Sequence, residues 1–161
     1  MIENLTGVDC YTAALTLLSR RELSTRQLRD RLIRRKFSAD EIDPVITRLT
    51  KEGTLDDGRV ARASARLGAV IKRRGRRRVL QEIKQLGIGA TTAKEAVDDV
   101  FAEVDEFALL DRAIDRRLRG ADAATLDRQG RARVVRSLIG QGFAASDVYS
   151  RLRIRAAKSD E

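Results

Sequence analysis

One hydrophobic pattern occurs three times in this chain of 161 residues and limits its possible folds more than any other feature. Leu32, Phe37, Ile42 and Ile46 are separated by steps of five, five and four. Ile83, Ile88, Ala93 and Val97 repeat those steps, and so do Leu138, Phe143, Val148 and Leu152. Self-similarity at such a period marks a small supersecondary unit that is repeated along the chain and buries its apolar side against its neighbours. Within the units the spacing is helical. Val8, Tyr11, Leu15 and Leu18 fall at steps of three and four, as do Leu28 with Leu32, and Ile42, Val45 and Leu49. Ser24 with Gln27, and Ser38 with Glu41, have the spacing at which a hydroxyl and a side chain three residues on satisfy each other's backbone donors at a helix start. Gly53 closes the third helix, and no segment alternates strictly enough to make a half-buried strand.

The expected fold is therefore all-α: three tandem three-helix repeats stacked into an elongated, curved array. The expected units are residues 11–53, 54–104 and 105–155, with tails at 1–10 and 156–161. Each unit is too small to bury much core alone, so neighbours should pack end to end across short links such as Gly53-Thr54. Pro44 lacks a backbone donor, which implies either a kink in the helix opening at Ser38 or a later start near Asp43; the kink is the preferred reading.

Composition removes several kinds of function. There is no His, hence no His-based triad, no His-ligated metal and no side chain that titrates near neutrality in its ordinary state. The single Cys10 excludes an internal disulfide and a multi-cysteine metal cage, and it reads as a small core residue of the first helix. No metal site and no cofactor is expected, and the protein is not expected to be an enzyme. The first basic residue is Arg20 and no run approaches the roughly 18 apolar residues of a membrane span, so a cytoplasmic, membrane-free protein is expected. Aromatic residues are only 4%, which disfavours binding of single strands by ranks of stacked rings.

The net charge of +9 is localised. Between Gly58 and Gln81 there is no acidic residue, while Arg59, Arg62, Arg66, Lys72, Arg73, Arg74, Arg76, Arg77 and Arg78 supply nine cations. A second basic cluster, from Arg20 to Lys36, includes Arg29, Arg34, Arg35 and Lys36, and an acidic stretch runs from Glu95 to Asp115. One part of the molecule should attract polyanions and another should repel them. In the helix after Asp57, Val60, Ala63, Leu67, Val70 and Ile71 read as the apolar face, with Arg59, Arg62 and Arg66 in a row beside it. The run Lys72-Arg73-Arg74-Gly75-Arg76-Arg77-Arg78 follows. Its arginines favour forked contacts with phosphate or carboxylate, and Gly75 is read as able to hold an unusual backbone conformation that brings such anions close to the chain. Asp56 and Asp57 read as helix-start residues rather than a catalytic pair, and the acidic stretch reads as a solvated helix face.

The order and spacing of several segments resemble the RecX family of recombination regulators. They are Arg20-Arg21-Glu22 before Ser24-Thr25-Arg26-Gln27-Leu28, the junction Gly53-Thr54-Leu55-Asp56-Asp57-Gly58-Arg59-Val60-Ala61, Gly75 followed by Glu82-Ile83-Lys84-Gln85-Leu86-Gly87-Ile88, and the late Gly142-Phe143. Departures fall at Val60, where an aromatic is common, at Arg76, where Pro often follows the glycine, and at Leu86, where a basic residue is usual. The resemblance implies a bacterial cytosolic regulator of RecA that acts in recombination, DNA repair and the SOS response. Such proteins lodge in the groove of the RecA filament on single-stranded DNA, inhibit ATP hydrolysis, strand exchange and co-protease activity, and often bind DNA themselves. The implied partners are the RecA filament and single-stranded DNA, with double-stranded DNA as a further form, and the protein is expected to be a monomer. On this reading the surface from Arg59 to Arg78 faces the filament, extended by Arg29, Arg34, Arg35 and Lys36.

Two other readings fit the residues themselves. A basic helical DNA-binding protein, such as a transcription factor or nucleoid-associated protein, would offer a recognition helix to duplex DNA without involving RecA. A purely structural helical adaptor would carry the basic face incidentally.

Overall fold

The computed structural model describes residues 8–158; the parts of the expected tails at 1–7 and 159–161 lie outside the described residues. Three groups of three helices follow one another. The first holds α1 (Cys10–Arg20), α2 (Thr25–Arg34) and α3 (Ala39–Lys51). The second holds α4 (Asp57–Arg66), which runs into a π-helical turn (Leu67–Ile71), then α5 (Arg76–Gln85) and α6 (Ala90–Phe101). The third holds α7 (Glu106–Leu118), a 3₁₀ turn (Ala123–Thr125), α8 (Arg128–Gly140) and α9 (Ala145–Lys158). The described residues contain no strand, and the closely packed helix pairs all fall within a group. The first helix begins one residue inside the expected tail, at Cys10, and the last continues to Lys158.

The twelve repeat-defining positions are all buried, which explains why their spacing is common to the groups. Both capping boxes form, at Ser24 with Gln27 and at Ser38 with Glu41, and Gly53 leaves α3 at φ +73°. With Ser38 as its cap, α3 passes through Pro44 as one helix instead of starting later. The cores divide unevenly. The first group has a core of its own, from Cys10 to Leu55, because Leu23 and Leu55 from its flanking links close over it. The second and third groups share one core, from Val60 to Leu152.

Burial on α4 departs from the expected face. Val60, Ala61, Ala65, Gly68 and Ala69 are buried, while Ala63, Leu67, Val70 and Ile71 are exposed. Small residues win the interior because they allow α4 to pack closely on α6 and the π-helical turn to pack closely on α5. A Cβ on Gly68 would lie 2.8 Å from a Val79 methyl.

One joint is used twice. The α5–α6 turn rests on the start of α2, where the Ser24 hydroxyl donates to the Leu86 carbonyl at 2.5 Å. Gly87 has φ +79°, and a Cβ there would lie 2.1 Å from the Arg26 side chain. The α8–α9 turn rests likewise on the start of α5: Gly75 N–H donates to the Gln141 carbonyl at 2.8 Å, and Arg77 N–H to the Gly142 carbonyl at 3.2 Å. Opposite ends of α5 thus meet different neighbours, and the groups succeed one another in a line. Gly75 itself has φ −71°, so its role differs from the one read in the sequence. It is there because a Cβ would lie 2.4 Å from the Gly142 carbonyl carbon, and the approaching backbone belongs to this protein.

Candidate nucleic-acid interface

The π-helical turn ends with Lys72 N–H donating to the Leu67 carbonyl at 2.9 Å, five residues back. Arg73 then takes the left-handed region, at φ 53°, and Arg74 N–H returns to the Gly68 carbonyl at 3.0 Å. This reversal folds Lys72, Arg73 and Arg74 over the end of α4. Facing them is the end of α7, where Arg119 is also left-handed, at φ 51°. Between them lies an open groove of about 1110 Å³ lined by Lys72, Arg73, Arg74, Arg116, Arg117, Arg119 and Arg133, with Ile71, Ala113 and Gln141. No carboxylate lines it.

Seven cations around one groove repel one another, and a non-glycine residue in the left-handed region costs about 1–2 kcal/mol. The fold keeps both features at the same place. Such an arrangement attracts polyanions, and guanidinium groups suit the oxygens of phosphate.

Sequence relationships agree with this architecture. Residues 10–49 match the family profile described as the first three-helix domain of RecX. The chain is 38% identical over 149 residues to "Regulatory protein RecX" of Halorhodospira halophila, covering 92% of this chain and 87% of that protein. It is 32% identical over 141 residues to "Regulatory protein RecX" of Syntrophotalea carbinolica, covering 88% and 92% respectively. The chain belongs to the RecX family. The crystal structure of RecX from Lactobacillus salivarius superposes with a TM-score of 0.75 over 92% of this chain and 94% of that one, at 18% identity. A second crystal structure, of regulatory protein RecX, gives a TM-score of 0.77 over 89% of this chain and 70% of that one, at 21% identity. The RecX fold is thus retained at low sequence identity.

In this RecX-family chain the thirteen expected site residues separate by what they touch. Arg59 is a clamp between groups: Nε meets Glu22 at 2.8 Å, and its two terminal nitrogens donate to the Gly53 and Thr54 carbonyls, each at 3.0 Å. Arg76, the first residue of α5, lies over the Phe101 ring at 5.0 Å and reaches Asp98 at 2.6 Å and Glu106 at 3.0 Å. It ties the second group to the third. Arg74 and Arg78 both meet Glu82 at 3.0 Å, and Arg29 meets Asp43 at 2.5 Å. Arg62, Arg66, Lys72, Arg73 and Arg77 are exposed and form no salt bridge among the described residues. Arg34, Arg35 and Lys36 are exposed on the first group and do not line the groove.

The groove adds Arg116, Arg117, Arg119 and Arg133, which the charge count along the chain did not single out. The signal for the first three was the acid-free interval from Arg116 to Ala121, hidden by the carboxylates just before it, and Arg133 lies in another, from Arg128 to Ser146. Four of the eight carboxylates from Glu95 to Asp115 pair with cations of this protein, so the solvated-face reading holds for the other four. Asp98 bonds Lys94 and Arg76, Glu106 bonds Arg76, Asp111 bonds Arg151 and Arg155, and Asp115 bonds Arg155. Hydrogen bonding from Lys94, with Arg76 alongside, holds the Asp98 carboxyl below the usual aspartate range, and Arg151 does the same for Asp111. Only Glu95, Asp99, Glu103 and Asp105 of the stretch remain exposed without a salt bridge, and Asp105 caps α7 through Ala108 N–H at 2.9 Å.

Asp56 caps α4 by accepting from Arg59 N–H at 3.0 Å, which lowers its pKa. Asp57 accepts from Thr25 N–H at 2.7 Å and so caps α2 across the first joint, a role its position in sequence did not reveal. No group of metal-ligating side chains occurs among the described residues, and none of their helices is long and apolar enough to cross a membrane.

Proposed function

We propose that this protein is a non-enzymatic, cytoplasmic regulator that binds the RecA filament on single-stranded DNA and inhibits its ATP hydrolysis, strand exchange and co-protease activity. It acts as a monomer in recombination, repair and the SOS response. The RecX-family relationship supports RecA as the partner, and the groove between the second and third groups supports a polyanion as part of what is bound. The single observation that carries this reading is the convergence of seven cations on one groove, six of them without a salt bridge among the described residues and only Arg74 paired, with Glu82. The groove receives phosphates, with Arg62, Arg66, Arg77, Arg34, Arg35 and Lys36 as outlying contacts. A body of three joined helical groups biases a filament if it binds one arrangement of neighbouring subunits better than another, since only differential affinity shifts an equilibrium.

An assay of RecA ATP hydrolysis on single-stranded DNA tests this reading. The protein should lower the rate, and a variant with Arg73→Glu, Arg116→Glu, Arg117→Glu and Arg133→Glu should lose the effect while keeping its helicity. Arg59, Arg74 and Arg76 are left intact because their loss would loosen the body itself. Full inhibition by the variant would remove the groove from the mechanism. Sequence-selective footprints on duplex DNA with no effect on RecA would favour the DNA-binding alternative.

A further inference from the structure

The π-helical turn that continues α4 buries its small residues, Gly68 and Ala69, and exposes its large ones, the reverse of what burial of apolar area favours. Leu67, Val70 and Ile71 are 47%, 58% and 71% exposed and stand together on the π-helical turn. With Val100 and Val104 of the facing segment they line a mainly apolar groove of about 420 Å³. Exposed aliphatic residues scattered singly need no explanation, but a contiguous strip beside a groove does. π-helical turns are rare and recur at functional sites.

Cations outnumber carboxylates at and beside the rim of the strip. Arg66 lines it, Lys72 and Arg73 follow directly in sequence, and Glu103 is its one carboxylate. Ile71 borders both this groove and the seven-cation groove, so the two surfaces adjoin. A second copy of the chain would bring the same cations against these, which works against a two-fold contact. Nucleic acid gains little from an aliphatic strip without an aromatic ring for a base to stack on.

We propose that the strip seats a protein partner, a segment that inserts a branched aliphatic side chain and flanks it with a carboxylate directed at Arg66. This rests on the reading above, in which the adjoining groove meets phosphates. Ile71 then marks the line on this protein where contact with filament protein gives way to contact with DNA. The basic surface is thereby divided: the groove serves the nucleic acid, and the strip gives specificity for the subunits.

The test compares binding of a labelled single-stranded oligonucleotide alone with binding of the same strand coated by RecA. The double variant Leu67→Ser with Val70→Ser leaves the seven-cation groove untouched. Its affinity for the coated strand should fall at least tenfold, while affinity for the bare strand stays within twofold. Glu103→Gln removes the one carboxylate that would oppose an acidic partner and should raise affinity for the coated strand about two- to threefold, which keeps the proposal testable if the double variant folds poorly. Coated-strand affinity unchanged in either variant would overturn the assignment, as would equal losses on bare and coated strands. Wild-type protein that binds bare DNA but ignores the coated strand would instead overturn the RecA reading, and the strip's role with it.

Discussion

Gly75 and Gly142 meet backbone to backbone: a Cβ on Gly75 would lie 2.4 Å from the Gly142 carbonyl carbon, and Arg77 N–H donates to the Gly142 carbonyl at 3.2 Å. This contact holds the third helical group against the second, and through it the two walls of the basic groove. Gly75→Ala has no backbone strain to overcome, since φ is −71°, so its cost is purely the displaced neighbour. The substitution should destabilise the protein by about 2 kcal/mol or more, in the range of overpacked sites. Gly140→Ala, in the last turn of α8 with open space around it, should instead be neutral or stabilising by up to about 1 kcal/mol. Urea denaturation of the pair checks both signs.

The first joint supplies a second comparison. Lys36 has φ 70° in the turn between α2 and α3, the place that Gly87 and Gly142 occupy in the later groups. Nothing docks on Lys36, which is exposed, so a side chain is tolerated there. Lys36→Gly should stabilise the protein by about 0.5–1 kcal/mol by removing left-handed strain. Gly87→Ala should cost more than about 2 kcal/mol, because strain is joined by collision with Arg26. Thermal melts of the two variants should move in opposite directions.

Arg76 and Arg77 are neighbours with different work. Arg76→Ala removes bonds to Asp98 and Glu106 and the contact with Phe101, and should cost about 1 kcal/mol, the upper range for a partly exposed network. Arg77→Ala, without a salt bridge, should leave stability within about 0.5 kcal/mol. Equal effects in chemical denaturation would contradict the clamp.

Acid should loosen the third group through Asp111. Its carboxyl is held below the ordinary aspartate pKa of about 3.9 by Arg151, so the unfolded chain takes up the proton first as pH falls. The stability gained from this pairing is complete well above that value and disappears as pH drops through the folded one. Asp111→Asn should therefore be less stable than wild type at pH 7, with the gap narrowing below about pH 4. Unfolding curves at pH 7 and pH 3 measure the gap.

Salt dependence should report on the groove. Each phosphate contact on a single strand contributes about 0.7 to the slope of log K against log salt. Arg116→Glu and Arg133→Glu should each weaken single-strand binding and flatten that slope, with little change in thermal stability. An unaltered slope would place the phosphates elsewhere.

The repeated steps of five, five and four determined the helical groups, because those positions must all be buried for any group to close, and the capping boxes and Gly53 set helix ends through local hydrogen bonds and backbone geometry. Such features depend on neighbours a few residues away and can be read along the chain. Which arginines remain available could not be. Arg59 and Arg76 find carboxylates at Glu22, Asp98 and Glu106, and Asp57 caps a helix 32 residues earlier, only because packing within and between the groups brings these residues together. In the same way Arg116, Arg117, Arg119 and Arg133 reach Lys72 and Arg73 only across the third group's packing on the second. Charge is counted along a sequence, but its pairing and convergence are properties of distance, and the tertiary structure alone set those distances.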